Sequence, residues 1–296
     1  MSFKYGLLNF LAKLPLIGGL AGNALLRSQH PVEWALLHRS HHTDNTCASI
    51  LHFSVNKSAT QYVKSILERI GAENGMTPVN LHGYAFNSKM PFFDHLNAEE
   101  MRQYAHLFHP RGYVYSVFGG AIEGISSMET YRTVLMVRDP RDVLTSMYYS
   151  LAYSHVVPEA TGNKREPFLQ KRAQVRQMSI DEFVLDAAER ERSIYQRYTD
   201  LLVSRYPNAL LTRYEEMTSN FDSWLDELLT YCQLEISAAL RQEIKAEAEK
   251  MRPKTENIHA HVRKGQPGDY LEKLQPQTIV RLNEIFSQVL RDYRYA

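Results

Sequence analysis

The chain has 296 residues, 44% hydrophobic and 23% charged, which excludes a disordered, collagen-like or disulfide-framework protein. Lys plus Arg number 34 against 33 for Asp plus Glu, so the net charge of +1 carries no global footprint of a nucleic-acid binder. Two cysteines, Cys47 and Cys232, imply no disulfide framework and fit a reducing compartment, hence a cytoplasmic expectation.

Gly6 to Leu26 is mostly apolar, but Asn9, Lys13, Pro15 and Asn23 interrupt it. A membrane span needs about 20 apolar residues, and a charge near its centre costs roughly 3 kcal/mol. The reading adopted is a helix and loop packed on the rest of the chain, an N-terminal extension over residues 1–46. A shallow interfacial anchor, with Leu7, Leu8, Leu11 and Leu14 toward lipid, is the second reading, and a true span or signal peptide the third. Residues 1–28 therefore carry an expectation of membrane-surface contact. His38, His41 and His42 fit one helical face, yet no Cys or carboxylate completes a zinc spacing, so the segment reads as a polar connection without metal.

Residues 48–55 read as a buried strand, followed by a helix from Ser58 to Ile70 with Val63, Ile66, Leu67 and Ile70 at helical spacing and Gly71 as its stop. A short strand at Val79–Tyr84 and a polar helix at Asn97–Leu107 follow. Tyr113–Phe118, closed by Gly119-Gly120, and Thr133–Val137 are two further strands. Asp139 caps the next helix and Pro140 suits its first position. Residues 153–178 read as irregular and basic, either a lid or patch for an anionic acceptor or, as preferred, a solvated loop. Ser179 to Glu182 is a capping box opening a long helix to Arg205. Ala209–Thr212 is a strand, and helices follow at Phe221–Cys232, Ser237–Met251 and Pro276–Tyr293. Strands alternating with helices predict a single α/β domain, a central parallel sheet with helices on both faces, over residues 47–296.

Three segments have the composition of phosphate sites. In Val55–Tyr62 a buried strand runs into a helix, where free backbone N–H groups and the helix dipole favour an anion. Lys57 adds a charge, and Ser58 and Thr60 add hydroxyls. It is not a Walker A loop, because residues 51–56 contain no glycine. In Val137–Ser146, Arg138 ends a buried strand and needs an anionic partner, either a phosphate or Asp139 or Asp142. In Val262–Tyr270, Arg263 and Lys264 precede Gly265 in a loop suited to closing over an anion.

In this order the three segments resemble the sulfotransferases that use 3′-phosphoadenosine 5′-phosphosulfate (PAPS). Asn56–Tyr62 stands where that family has P-K-S-G-T-T-W. Arg138–Ser146 fully matches R-[ND]-P-[KR]-D-x-x-x-S, and Arg263–Tyr270 fully matches R-K-G-x-x-G-D-[WY]. Thr212–Met217 is a softer match to [FR]-Y-E-[DE]-[ML]. The resemblance implies a P-loop-like sheet, PAPS as donor with 3′,5′-ADP (PAP) as product, and no metal. It implies that Lys57, Ser58, Ala59, Thr60 and Gln61 hold the 5′-phosphosulfate. Arg138, Ser146, Arg263, Lys264 and Gly265 would hold the 3′-phosphate, and Tyr62 and Tyr214 would line the adenine. Lys57 and Ser146 are the implied catalytic pair, the serine restraining the lysine.

The sequence departs from that pattern at Asn56, Gln61 and Ala59, the last where the family has a glycine free to take positive φ. It also lacks the histidine that many cytosolic members carry at the end of the strand before the second signature, near Ser116–Phe118. His82, Glu123 and His155 are the candidate bases. The function expected is sulfuryl transfer to a hydroxyl or amine of a small-molecule, lipid or glycan acceptor, with a homodimer as a further partner expectation. The alternatives are a P-loop kinase-like phosphotransferase and a degenerate nucleotide-binding module.

Overall fold

The computed structural model describes residues 18–158, 165–251, 253, 255–260 and 263–296. Most of the Gly6–Leu26 stretch therefore lies outside the described residues. Among the described residues five strands, β1 (Ile50–Ser54), β2 (Thr77–Val79), β3 (Tyr113–Phe118), β4 (Arg132–Val137) and β5 (Leu210–Arg213), form one sheet in the order β2-β3-β1-β4-β5, in which the β1–β3, β2–β3 and β4–β5 pairs are parallel. The chain divides into two compact units, residues 1–53 with 64–133, and residues 54–63 with 134–296.

The first unit begins with α1 (Gly18–Gln29) and α2 (Pro31–Leu37). Helix α2 is anchored by Glu33, which is buried and accepts the Asn80 N–H at 2.5 Å. No helix among the described residues is long and apolar enough to cross a membrane. His38 ends α2, and His41 and His42 follow in non-helical chain, so the three share no helical face. No group of His, Cys, Asp or Glu suited to a metal occurs among the described residues.

Strand β1 (Ile50–Ser54) is buried at every position, as is β3 (Tyr113–Phe118). A strand without alternation is covered on both faces, as in parallel sheets. Ile50, Leu51 and His52 pair with Val114, Tyr115 and Ser116. Helix α3 (Thr60–Glu73) follows β1, and its Val63, Ile66, Leu67 and Ile70 are fully buried, as their spacing predicts. Gly71 does not stop it. It sits inside the last turn because a Cβ there would lie 2.4 Å from Val114 Cγ2. The segment expected as a strand at 79–84 divides into β2 (Thr77–Val79) and α4 (Leu81–Asn87). Asn80 makes the switch, its side chain accepting the Gly83 N–H at 2.8 Å. The expected polar helix at 97–107 starts as α5 (Ala98–Met101), with an Asn97 capping box, and tightens into a 3₁₀ segment.

In the second unit β4 (Arg132–Val137), which starts at the end of the first, leads into α6 (Pro140–Tyr149). Asp139 caps α6 by accepting the Arg141 N–H at 2.9 Å. Helix α6 widens into a π-turn over Ser150–Ser154, closed by the His155 N–H on the Ser150 carbonyl at 2.8 Å.

The basic stretch expected to be irregular is instead α7 (Arg165–Gln177). Its arginines face carbonyls left free at the end of the preceding helix. Arg172 donates to Leu151 at 2.9 Å and to His155 at 2.5 Å, and Arg176 donates to Ala152 at 2.7 Å. Helix α8 (Ile180–Tyr198) opens with the expected capping box and ends in a second π-turn, Thr199–Val203. Strand β5 (Leu210–Arg213) precedes α9 (Tyr214–Ser219), α10 (Phe221–Cys232) and α11 (Ala238–Lys250). The expected last helix is two, α13 (Pro276–Ile285) and α14 (Ser287–Asp292), after the short α12 (Asp269–Lys273).

Candidate active site

The second unit contains a cavity of about 720 Å³. Its floor is the turn from β1 to α3, whose geometry follows from crossed local hydrogen bonds. Ser58 Oγ donates to the Val55 carbonyl at 2.7 Å, and Thr60 Oγ1 donates to the same oxygen at 3.1 Å. Ser54 Oγ lies 2.9 Å from each of those hydroxyls. Lys57 and Ala59 are held at φ +65° and +59°, a region that L-residues enter at a cost. The left-handed turn is therefore built without glycine.

Of the twelve residues expected to hold the cofactor, eleven line this cavity: Lys57, Ala59, Thr60, Gln61, Tyr62, Arg138, Ser146, Tyr214, Arg263, Lys264 and Gly265. Ser58 does not. Its side chain is fully buried beneath the turn, so it shapes the loop. The Tyr62 hydroxyl donates to the Ile244 carbonyl at 2.8 Å, which ties its ring to α11.

Among the described residues four cations converge here, Lys57, Arg138, Arg263 and Lys264, and no carboxylate lines the cavity. Burial, then the charges of Arg138 and Arg263, push the Lys57 ammonium down to about 8. Arg138 donates to the Lys57 carbonyl at 3.0 Å, lies over the Tyr214 ring at 4.3 Å and pairs with Asp142 at 3.3 Å. Asp139 is not its partner, because that carboxylate takes Arg141 at 2.5 Å. Arg138 Nε is buried with no hydrogen-bond partner. The four cationic side chains of the lining, together with the hydroxyl of Ser146, are a donor set that fits a phosphate.

The three candidate bases separate. His155 lines the cavity that holds Lys57, brought there by the π-turn. His82 and Glu123 belong to the first unit. His82 lines a small crevice with Asp94, Gly119 and Gly120, its ring 4.7 Å from that of Phe92. Burial lowers its pKa more than the charge of Asp94 raises it. Glu123 is half-buried. The sequence reading did not assign Met217, Phe221, Ala248 and Met251, which also line the cavity. They carry no chemistry of their own, so only the three-dimensional position marks them.

A sulfotransferase domain model matches residues 49–294. Mouse sulfotransferase SULT7A1, solved in complex with PAP, is similar in fold, with a TM-score of 0.54 and 16% identity over 89% of this chain and 91% of that one. Retinol dehydratase, solved with retinol and PAP, aligns with a TM-score of 0.46 and 14% identity over 83% of this chain and 82% of that one. No curated protein sequence matches the chain.

The chain belongs to the sulfotransferase family. It is a sulfotransferase enzyme whose parallel five-stranded α/β fold is the one the sequence implied, and the phosphotransferase alternative finds no support.

Proposed function

We propose that this protein moves the sulfuryl group of PAPS to the hydroxyl of an uncharged small molecule. The observation that carries the proposal is the cavity's charge: among the described residues its lining holds four cationic side chains and no carboxylate. A donor with a 3′-phosphate and a 5′-phosphosulfate would engage all four. Among the described lining residues an amine acceptor would then find no carboxylate and an anionic acceptor no further Lys or Arg. The remaining wall includes the apolar or hydroxyl-bearing Met147, Tyr149, Leu151 and Ser154 and the uncharged carboxamides of Asn56 and Gln266.

PAPS supplies the activated sulfuryl group. In this reading Arg138, Ser146, Arg263, Lys264 and the backbone at Gly265 grip the 3′-phosphate, away from the reacting bond. Thr60, Gln61 and the N-terminal N–H groups of α3 hold the 5′ end. Tyr62 and Tyr214 flank the adenine. Lys57, acidified by burial, gives its proton or its charge to the bridging oxygen as the S–O bond breaks. His155 takes the acceptor's hydroxyl proton, and its support is that it shares the cavity with Lys57.

The test is transfer of ³⁵S from PAPS to a panel of phenols, aliphatic alcohols and amines. The reading expects labelled phenols or alcohols, loss of transfer in Lys57→Met and at least a hundredfold fall in kcat for His155→Asn. Labelling of amines alone would overturn the acceptor class. A collapse of kcat in His82→Asn, with His155→Asn active, would move the base to the first unit.

A further inference from the structure

The cations assigned to the 3′-phosphate are not idle in this structure. The Arg263 guanidinium stacks on the Tyr149 ring at 4.2 Å and donates to two carboxylates, Glu256 and Asp269. The two acids differ in kind. Asp269 is 1% exposed, starts α12, and also receives Lys264 at 3.2 Å. It is a fixed part of the fold. Glu256 stands on an exposed turn, in which the Asn257 N–H donates to the Arg263 carbonyl at 3.0 Å. Its second oxygen receives Lys273 at 2.8 Å. Glu256 thus bridges two cations, and only Arg263 of these two lines the cavity.

We propose that Glu256 is a built-in competitor of the 3′-phosphate: it occupies Arg263 in the free protein and is left to Lys273 when the nucleotide binds. The inference rests on the proposed PAPS site. A phosphate brought to Arg263 meets two carboxylates already on the guanidinium, and a third anion on one fork is repelled; of the two acids only Glu256 stands on an exposed turn. Lys273 makes the exchange cheap, because Glu256 keeps a cationic partner after releasing Arg263. The consequence is weaker and more readily reversed binding of 3′-phosphorylated nucleotides, which favours release of the product PAP.

The experiment is calorimetric titration of the full chain with PAP and with 5′-AMP, which lacks the 3′-phosphate, for wild type, Glu256→Gln, Lys273→Met and the double variant. Removing a partly exposed competing charge should tighten PAP about 3- to 10-fold and leave 5′-AMP within about twofold. Lys273→Met should weaken PAP several-fold, because among the described residues Glu256 then keeps only Arg263 as an ion-pair partner. The double variant should match Glu256→Gln. Weaker PAP binding in Glu256→Gln would overturn the proposal and make Glu256 a residue that orients Arg263 for the phosphate. Equal shifts for PAP and 5′-AMP would also overturn it, by showing a general effect on the loop. If folded wild type bound no PAP, the PAPS reading itself would fall, an outcome distinct from either.

Discussion

Asp142 lies one helical turn beyond Arg138 and pairs with its guanidinium at 3.3 Å, while the same carboxylate accepts the backbone N–H groups of Gly268 at 2.7 Å and Tyr270 at 3.0 Å. One fully buried acid therefore fixes both the arginine that ends β4 and the loop that follows Arg263. Removing it leaves Arg138 buried without its paired carboxylate, with Glu215 acting on it only at longer range. Asp142→Asn should cost about 3–5 kcal/mol, the range for breaking a buried pair by deleting one partner. Urea denaturation with and without PAP checks this. PAP should stabilise the variant more than wild type, because its phosphate replaces the missing anion; an equal ligand effect would contradict the account.

Ala59 at φ +59° makes a second prediction. A left-handed L-residue costs about 1–2 kcal/mol, and a glycine there loses about 0.5–1 kcal/mol more chain entropy on folding. Ala59→Gly should therefore stabilise the protein by roughly 0.5–1 kcal/mol. It should not weaken PAP binding, since the turn keeps its shape. Denaturation midpoints measure the first and calorimetry the second. A destabilised variant would mean that the Ala59 methyl group makes contacts worth more than the strain.

His52 is fully buried in β1, and neither ring nitrogen has a hydrogen-bond partner. Burial, then the nearby charge of Lys64, holds its pKa at about 3 against an ordinary 6.5. The unfolded chain therefore binds a proton between those values and the folded one does not. Stability is full above the unfolded pKa and falls as pH drops through that window, by up to about 1.4 kcal/mol per pH unit. Chemical denaturation at pH 7, 6 and 5 should show this slope, and His52→Leu should flatten it. An unchanged slope in the variant would assign the acid sensitivity to other groups.

Lys57 governs the alkaline side. Its pKa of about 8 in the free protein should rise once an anion sits beside it. Above pH 8, binding PAP must then take up a proton, and affinity should fall as pH climbs. Calorimetry in buffers of different ionisation enthalpy counts that proton. Lys57→Met should bind more weakly and lose both the uptake and the alkaline decline.

Much of this site was legible before folding because its residues are adjacent in sequence. Arg138–Ser146 and Arg263–Tyr270 each carry their cation, turn and cap within one short run, and Asp139 and Pro140 behave as their positions dictate. What was not legible depends on distant partners. Gly71 reads as a helix stop until Val114 is placed against it. The 165–177 stretch has few apolar residues, with only Val175 fully buried, and its helix is held by carbonyls at Leu151, Ala152 and His155 that no local pattern announces. Ser58 reads as a ligand because its type and place suit one, yet its hydroxyl is spent on the Val55 carbonyl. As single residues the three candidate bases gave no reason to put His155 ahead of His82 and Glu123; in the fold His155, just after the π-turn that ends α6, lines the cavity.

The most direct test of the account is calorimetric titration of wild type and Arg138→Ala with PAP and with ATP. Wild type should bind PAP tightly and ATP much more weakly, and the variant should lose most of its PAP affinity while keeping the wild-type fold by circular dichroism. Equal affinity for ATP and PAP, or a folded Arg138→Ala that binds PAP as wild type does, would contradict the assignment of this cavity to a 3′-phosphorylated nucleotide.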